Sequence, residues 1–249
     1  MAIDKDLALE RILSSGDEWE SWRALRLSGE SVSSMPTPRY QDDEGGFVGP
    51  SERRVSPGAT GEALCHLVLL GQDVSGAAAI AADWLLVART PAEAWLDAPD
   101  DVPGELDNPA AGRVWATASA ACGLLAVDRD PGPRAIELLR GEADQEGRFT
   151  GGAYPTFAAA GAYWLAEGPK TEMAEWALRW SREQLEDDLW GPWEITTALI
   201  FWAAAGITVD HLSVDAFGDA LNEAAPAEGW LDSAELTLRT LEVAGYLGL

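Results

Sequence analysis

The chain alternates between segments that are apolar almost all round and segments that are apolar on one side only. Five belong to the first kind: "GATGEALCHLVLLG" (58–71), "WATASAACGLLAVD" (115–128), "YPTFAAAGAYWLAEG" (154–168), "EITTALIFWAAAG" (194–206) and "DSAELTLRTLEVAG" (232–245). A helix with no wide polar face is buried on every side. Between them lie 74–90, 132–143, 169–185 and 210–224. In "EMAEWALRWSREQLE" Met173, Trp176, Ala177 and Trp180 share one face, the pattern of a surface helix. Each one-sided segment leads to a turn rich in Gly or an aromatic: "EAWLD", "QEGRFTG", "LWGPW", "EGWLD". No strand-like alternation of useful length occurs. The pattern predicts an all-α chain of paired helices.

The pairs repeat. Stacked on a small-residue landmark, the apolar segments align at Thr60, Thr117, Thr156, Thr196 and Ala234, separated by 57, 39, 40 and 38 residues. The long first interval holds an insertion, "LDAPDDVPGELDNPAAG" (96–112). A period of about 40 residues also suits HEAT or armadillo solenoids. An open solenoid, however, leaves one face of each pair to solvent, and the apolar set has no such face. Closing the array with that set inside predicts an α/α toroid of about five helix pairs. The toroid repeats occupy 42–249, and 1–41 forms an N-terminal helical segment packed on them.

Counting from each landmark, positions +3, +4, +7 and +8 carry small and aliphatic residues suited to packing against outer helices. The fifth helix departs, with Thr237 and Glu242 on this stripe. The opposite stripe gathers aromatic and ionisable groups and is expected to wall a central cavity. It holds Glu62 and His66 in the first helix, Trp115 in the second, and Tyr154 and Phe157 in the third. Glu194, Phe201 and Trp202 follow in the fourth, and Asp232, Glu235 and Arg239 in the fifth. A carboxyl in an apolar cavity has a raised pKa and can give up a proton, so Glu62, His66 and Glu194 are the candidate acid–base residues. Aromatic faces stabilise cations. Trp115, Tyr154, Phe157, Phe201, Trp202, Asp232 and Glu235 are therefore the candidate substrate-binding residues. Each also has a structural reading. Glu194 and Asp232 sit at helix starts, where acids complement the helix dipole. Glu235 and Arg239 are i,i+4 partners for an ion pair, and the aromatics could be plain core.

Charge removes whole classes. Acids outnumber bases 42 to 17, for a net charge of −25 and a pI near 4.2. Nucleic acid and anionic membrane surfaces both demand the opposite sign. Cys65 and Cys122 form no disulfide framework. Cys65 and His66 are neighbours on a helix and point about 100° apart, so with His211 alone to add, no metal site is expected. The clustered carboxylates of "DAPDD" (97–101) have the chemistry to hold Mg²⁺. Pro99 and Pro103 make that loop stiff and exposed, and a solvated run is expected instead. The N-terminus lacks an apolar signal region, and no stretch of about 18 apolar residues is present, so the expectation is a cytoplasmic protein without a membrane span. A hydrophobic small molecule is the expected partner, and no cofactor is expected.

"DDEGGFVGPSERRVSPGATGEALCHLVLLG" resembles the repeat of the terpenoid cyclase and protein prenyltransferase β-subunit superfamily, in which a Gly/aromatic turn leads into an inner helix bearing Thr and small residues. "WLLVARTPAEAWLD" and "LEDDLWGPWEITTALIFWAAAGI" look like degenerate copies, and the resemblance spans about 42–249. It implies an α/α toroid. It further implies a cofactor-independent cyclase or isomerase acting by acid/base chemistry on a polyene or terpenoid-like molecule in an aromatic-lined cavity. The motifs depart from the family at both active-site signatures. Where the proton-donating cyclases carry an Asp-x-Asp-Asp-Thr motif, "WEITTA" (193–198) offers only Glu194. The Asp, Cys and His that bind zinc in the prenyltransferases have no counterpart set. Two other readings therefore stand beside the enzyme. One is a non-catalytic α/α toroid binding a hydrophobic ligand or a protein partner. The other is a carbohydrate-active α/α barrel, a class that also presents Trp platforms and paired acids.

Overall fold

The computed structural model describes residues 4–32, 34–49, 54–98, 110–185, 190–224, 231 and 233–249. Eleven helices are described: α1 Lys5–Ser15, α2 Glu18–Leu27, α3 Pro57–Leu69, α4 Gly76–Ala88, α5 Ala111–Ala126, α6 Pro133–Arg140, α7 Ala153–Glu167, α8 Glu172–Leu185, α9 Pro192–Ala204, α10 Leu212–Ala224 and α11 Ala234–Leu247. The only β-pairing among the described residues is in isolated bridges, Gln41–Phe47, Val48–Val55 and Ala143–Phe149. The fold is all-α with extensive helix–helix packing.

Helix starts follow capping chemistry. Asp4, Ser56, Ser75 and Ser233 each accept a backbone N–H of the first turn. Asp17 and Glu20 form a reciprocal capping box at α2. Asp97, from the expected carboxylate run, is spent the same way: its Oδ2 accepts from Ser56 Oγ at 2.7 Å and from the Gly58 amide at 3.0 Å. The rest of that run, from Pro99 onward, lies outside the described residues.

The apolar helices are the core. α3 packs on α5, α5 on α7 and α7 on α9, while α9 also packs on α3 and on α11. The one-sided helices lie against them: α4 on α3, α6 on α5, α8 on α7 and α10 on α9. The α1–α2 hairpin packs on α11, through a small apolar cluster that includes Leu9, Ile12, Ala24, Leu236 and Leu241. The closest crossing is α3 on α5. A Cβ at Gly61 would stand 2.2 Å from the Ser119 carbonyl oxygen, and one at Gly123 would stand 2.4 Å from the Gly61 carbonyl oxygen. Two glycines facing each other bring these backbones into contact.

The landmark threonines have a shared task. Thr60 accepts the Phe47 amide at 2.9 Å, Thr117 the Trp95 amide at 3.2 Å and Thr156 the Phe149 amide at 2.9 Å. Thr60 and Thr156 also donate to carbonyls one turn back, at Ser56 and Gly152. Each hydroxyl thus ties the turn that enters its repeat to the apolar helix. Two of these turns are chemically alike. In "DDEGGF" and "DQEGRF", Asp42 and Asp144 accept amides of the turn, and Gly45 and Gly147 take positive φ.

In α11 the clamp is Thr237, which accepts the Leu231 amide at 3.2 Å, and not the expected Ala234. The sequence alignment of this helix is therefore three residues out of register. Corrected, its +3, +4, +7 and +8 residues are Thr240, Leu241, Ala244 and Gly245. The apparent departures at Thr237 and Glu242 disappear. Arg239 becomes the counterpart of Glu62, and Glu242 that of Cys65.

Candidate functional site

One cavity of about 610 Å³ opens between α2, the 38–49 loop, α3, α9 and α11. The repeat turns supply much of its apolar wall: Phe47 comes from the first Gly/aromatic turn and Trp193 from the "LWGPW" turn. Trp19, Tyr40 and Tyr154 add further ring faces, and Ala59 and Ala63 leave the space that larger side chains would fill.

Ionisable groups in the cavity wall and buried behind it pair across helices. Arg23, on α2, is completely buried. Its Nε and Nη2 grip Glu242 with two bonds of 2.7 Å, and its Nη1 reaches Glu235. Burial opposes the charge on this guanidinium, but the two carboxylates outweigh it and hold the pKa above the ordinary value. The reciprocal effect falls on the acids. Burial would raise Glu242, yet Arg23 and His66 hold it down to about 2, and Glu235 is likewise lowered against its own desolvation by Arg23, His66 and Arg239. His66 Nε2 lies 2.7 Å from Glu242 Oε2. Arg239 Nη2 binds Glu62 and, at 3.2 Å, Thr197 Oγ1, while its guanidinium lies over the Trp193 ring at 5.3 Å. Arg39 at the mouth stands 3.4 Å from Glu20 and 3.5 Å from Asp17.

Protein-family models and curated proteins both return no match to this chain. Its chemistry has to be read from the geometry.

Of the expected site residues, Glu62, His66, Tyr154 and Glu235 line the cavity. Glu194 reaches it only through Tyr154, whose hydroxyl donates to Glu194 Oε1 at 3.0 Å. The other Glu194 oxygen accepts the Gly191 amide at 3.1 Å, so this acid caps α9. Burial first, and then Glu194 and Glu62, push the Tyr154 phenol well above its usual range. Asp232 lies outside the described residues. Trp115, Phe157, Phe201 and Trp202 are fully buried and are not among the cavity-lining residues described. Phe157 and Trp202 turn instead toward Phe217 of α10, with ring centroids 6.0 and 4.7 Å away. Trp115 stacks edge-on with Phe201 at 6.0 Å and with Tyr154 at 6.2 Å, filling the space between α5, α7 and α9. The interior is thus packed on the α7–α9 side and open on the α3–α11 side.

Partners also differ from the expectation. Glu62 is not an unpaired carboxyl, because α11 supplies Arg239 from 177 residues away. Glu235 and Arg239, read as partners of each other, bind Arg23 and Glu62 respectively. Arg23 and Glu242 were not anticipated as site residues. A signal existed for both: an arginine at i+4 from Trp19 in "EWESWRALRL", and a glutamate flagged as anomalous on an apolar stripe. Among the described residues no group of three or more His, Cys, Asp or Glu is arranged to hold a metal, and no helix is long and apolar enough to cross a membrane.

Proposed function

We propose that this chain is a closed α/α toroid of the terpenoid-cyclase and prenyltransferase type, and that its cavity binds an apolar small molecule without transforming it. The toroid is supported by the α3–α5–α7–α9 packing that returns to α3, and the family likeness by the threonine clamp repeated in four of the five apolar helices. Binding rests on one observation: the cavity is walled by aromatic faces while its carboxylates are engaged with arginines. A proton donor needs a carboxyl kept neutral by an apolar setting. Glu62 sits against a guanidinium instead, and Glu194 against a tyrosine and a helix start. The aromatic wall, in contrast, is what ligand pockets of this size are made of.

The test is titration with N-phenyl-1-naphthylamine, a neutral apolar fluorophore that brightens on leaving water. We expect saturable one-to-one uptake by the intact protein. Ala63→Phe, which extends into the cavity, should abolish that uptake while the far-ultraviolet circular dichroism is retained. Fluorescence that never saturates, or that survives Ala63→Phe, would exclude the cavity as a binding site.

A further inference from the structure

Resting on the binding reading above, we infer that the cavity takes an organic cation: a primary ammonium group carried on an apolar body. Glu62 meets Arg239 through Oε1, and Glu235 meets Arg23 through Oε2. Among the described residues these are their hydrogen-bond partners, which leaves one oxygen of each carboxylate without a hydrogen bond; His66 and Arg239 act on Glu235 from further away. Both side chains retain access to the cavity, at 18% and 22% exposure. One terminal nitrogen of each cavity-lining guanidinium is engaged, while the buried Arg239 Nε has no hydrogen-bond partner among the described residues. Arg239 Nη2 is held by Glu62 and Thr197, with its guanidinium 5.3 Å from the Trp193 ring centre, and Arg39 Nη1 is shared by Glu20 and Asp17.

The charge balance agrees. Of the charged groups that line the cavity, three are carboxylates, Glu20, Glu62 and Glu235, and two are guanidiniums, Arg39 and Arg239, with the His66 imidazole beside them; behind the wall Arg23 and Glu242 offset each other. The whole molecule adds a field of formal charge −25, which attracts cations and repels carboxylate or phosphate ligands. Ring faces complete the fit. Tyr40 and Trp19 already lie against guanidiniums at 5.2 and 5.7 Å, so these walls accept positive charge. A primary ammonium has three donors, and the two free carboxylate oxygens are acceptors for them.

Three probes of one chain length, decylammonium, decanol and decanoate, separate the possibilities by isothermal titration calorimetry near neutral pH. Decylammonium should bind roughly tenfold more tightly than decanol, and decanoate more weakly than either. Glu62→Gln and Glu235→Gln should each reduce that preference, read as the ratio of decylammonium to decanol affinity in the same variant. Glu223→Gln, an exposed change of equal charge on α10, should not. If decanol and decylammonium bind alike, or decanoate binds best, the cation inference fails and apolar binding stands. If Glu223→Gln lowers the preference as much as Glu62→Gln, the effect is the global field and the proposed site is wrong. If none of the three binds, the binding reading falls as well. Because the wild-type comparison needs no substitution, a variant that fails to fold leaves the test intact.

Discussion

Replacing Glu242 by Gln would test how the N-terminal hairpin is held to the rest of the molecule. Arg23 has no access to solvent and Glu242 almost none, at 3%. The amide keeps the shape of the carboxylate but removes the charge that faces both Arg23 and His66. Glu242 is lowered from 4.5 to about 2, and a difference of that size corresponds to about 3 kcal/mol of native-state stability. Removing one partner of a buried ion pair costs about 3–5 kcal/mol in comparable settings, which agrees. Glu235 remains bound to Arg23, so the lower end applies here. Urea unfolding followed by circular dichroism at neutral pH should show the loss, with a fall in melting temperature of about 6–12 °C for a chain of this size. The sign with pH follows from a depressed carboxylate. Its contribution is complete above 4.5 and disappears as pH falls toward about 2, so the gap between wild type and Glu242→Gln should narrow over that interval. A loss under about 1 kcal/mol, the range of an exposed pair, would refute the buried docking of α2 on α11. So would a gap that does not change with acid.

Three further outcomes are expected. Gly61→Ala places a methyl 2.2 Å from the Ser119 carbonyl oxygen, so α3 and α5 must separate. Thermal melting should show a loss of about 1–3 kcal/mol or more, and an unchanged midpoint would contradict the close crossing. Thr237→Val removes the acceptor of the Leu231 amide and should cost about 1–3 kcal/mol in chemical unfolding, whereas Ala234→Thr should restore nothing, because the clamp belongs to position 237. Cys65 and Cys122 are fully buried, and burial pushes the Cys65 thiol up. A thiol reagent such as dithionitrobenzoate should label them only on unfolding, and rapid labelling of the native protein would show that the α3–α5 layer opens.

The sequence by itself determined the helices and their two kinds. Apolar periodicity survives in single segments because a buried helix needs apolar residues on all sides and a surface helix on one, so α3, α5, α7 and α9 were legible at their landmark threonines. It also located four of the cavity's charged or imidazole groups, Glu62, His66, Glu235 and Arg239, because ionisable residues on otherwise apolar helices are rare enough to stand out. Tertiary structure decided the rest. The fifth helix was misplaced by three residues because Ala234 and Thr237 lie one turn apart on the same helix face, and the Leu231 amide decides for Thr237. Aromatics on the expected inner stripe divided between two neighbourhoods, since a helix buried all round has no unique inward face: Trp202 went to Phe217, and Tyr154 went to the cavity. Above all, charge pairing was invisible. Glu62 looked unpaired within its own helix, yet its arginine is 177 residues away, and Arg23 finds Glu242 across 219. Sequence spacing reports partners within a helix turn or two. The neutralisation of a buried carboxylate depends on which distant helix end the fold brings against it.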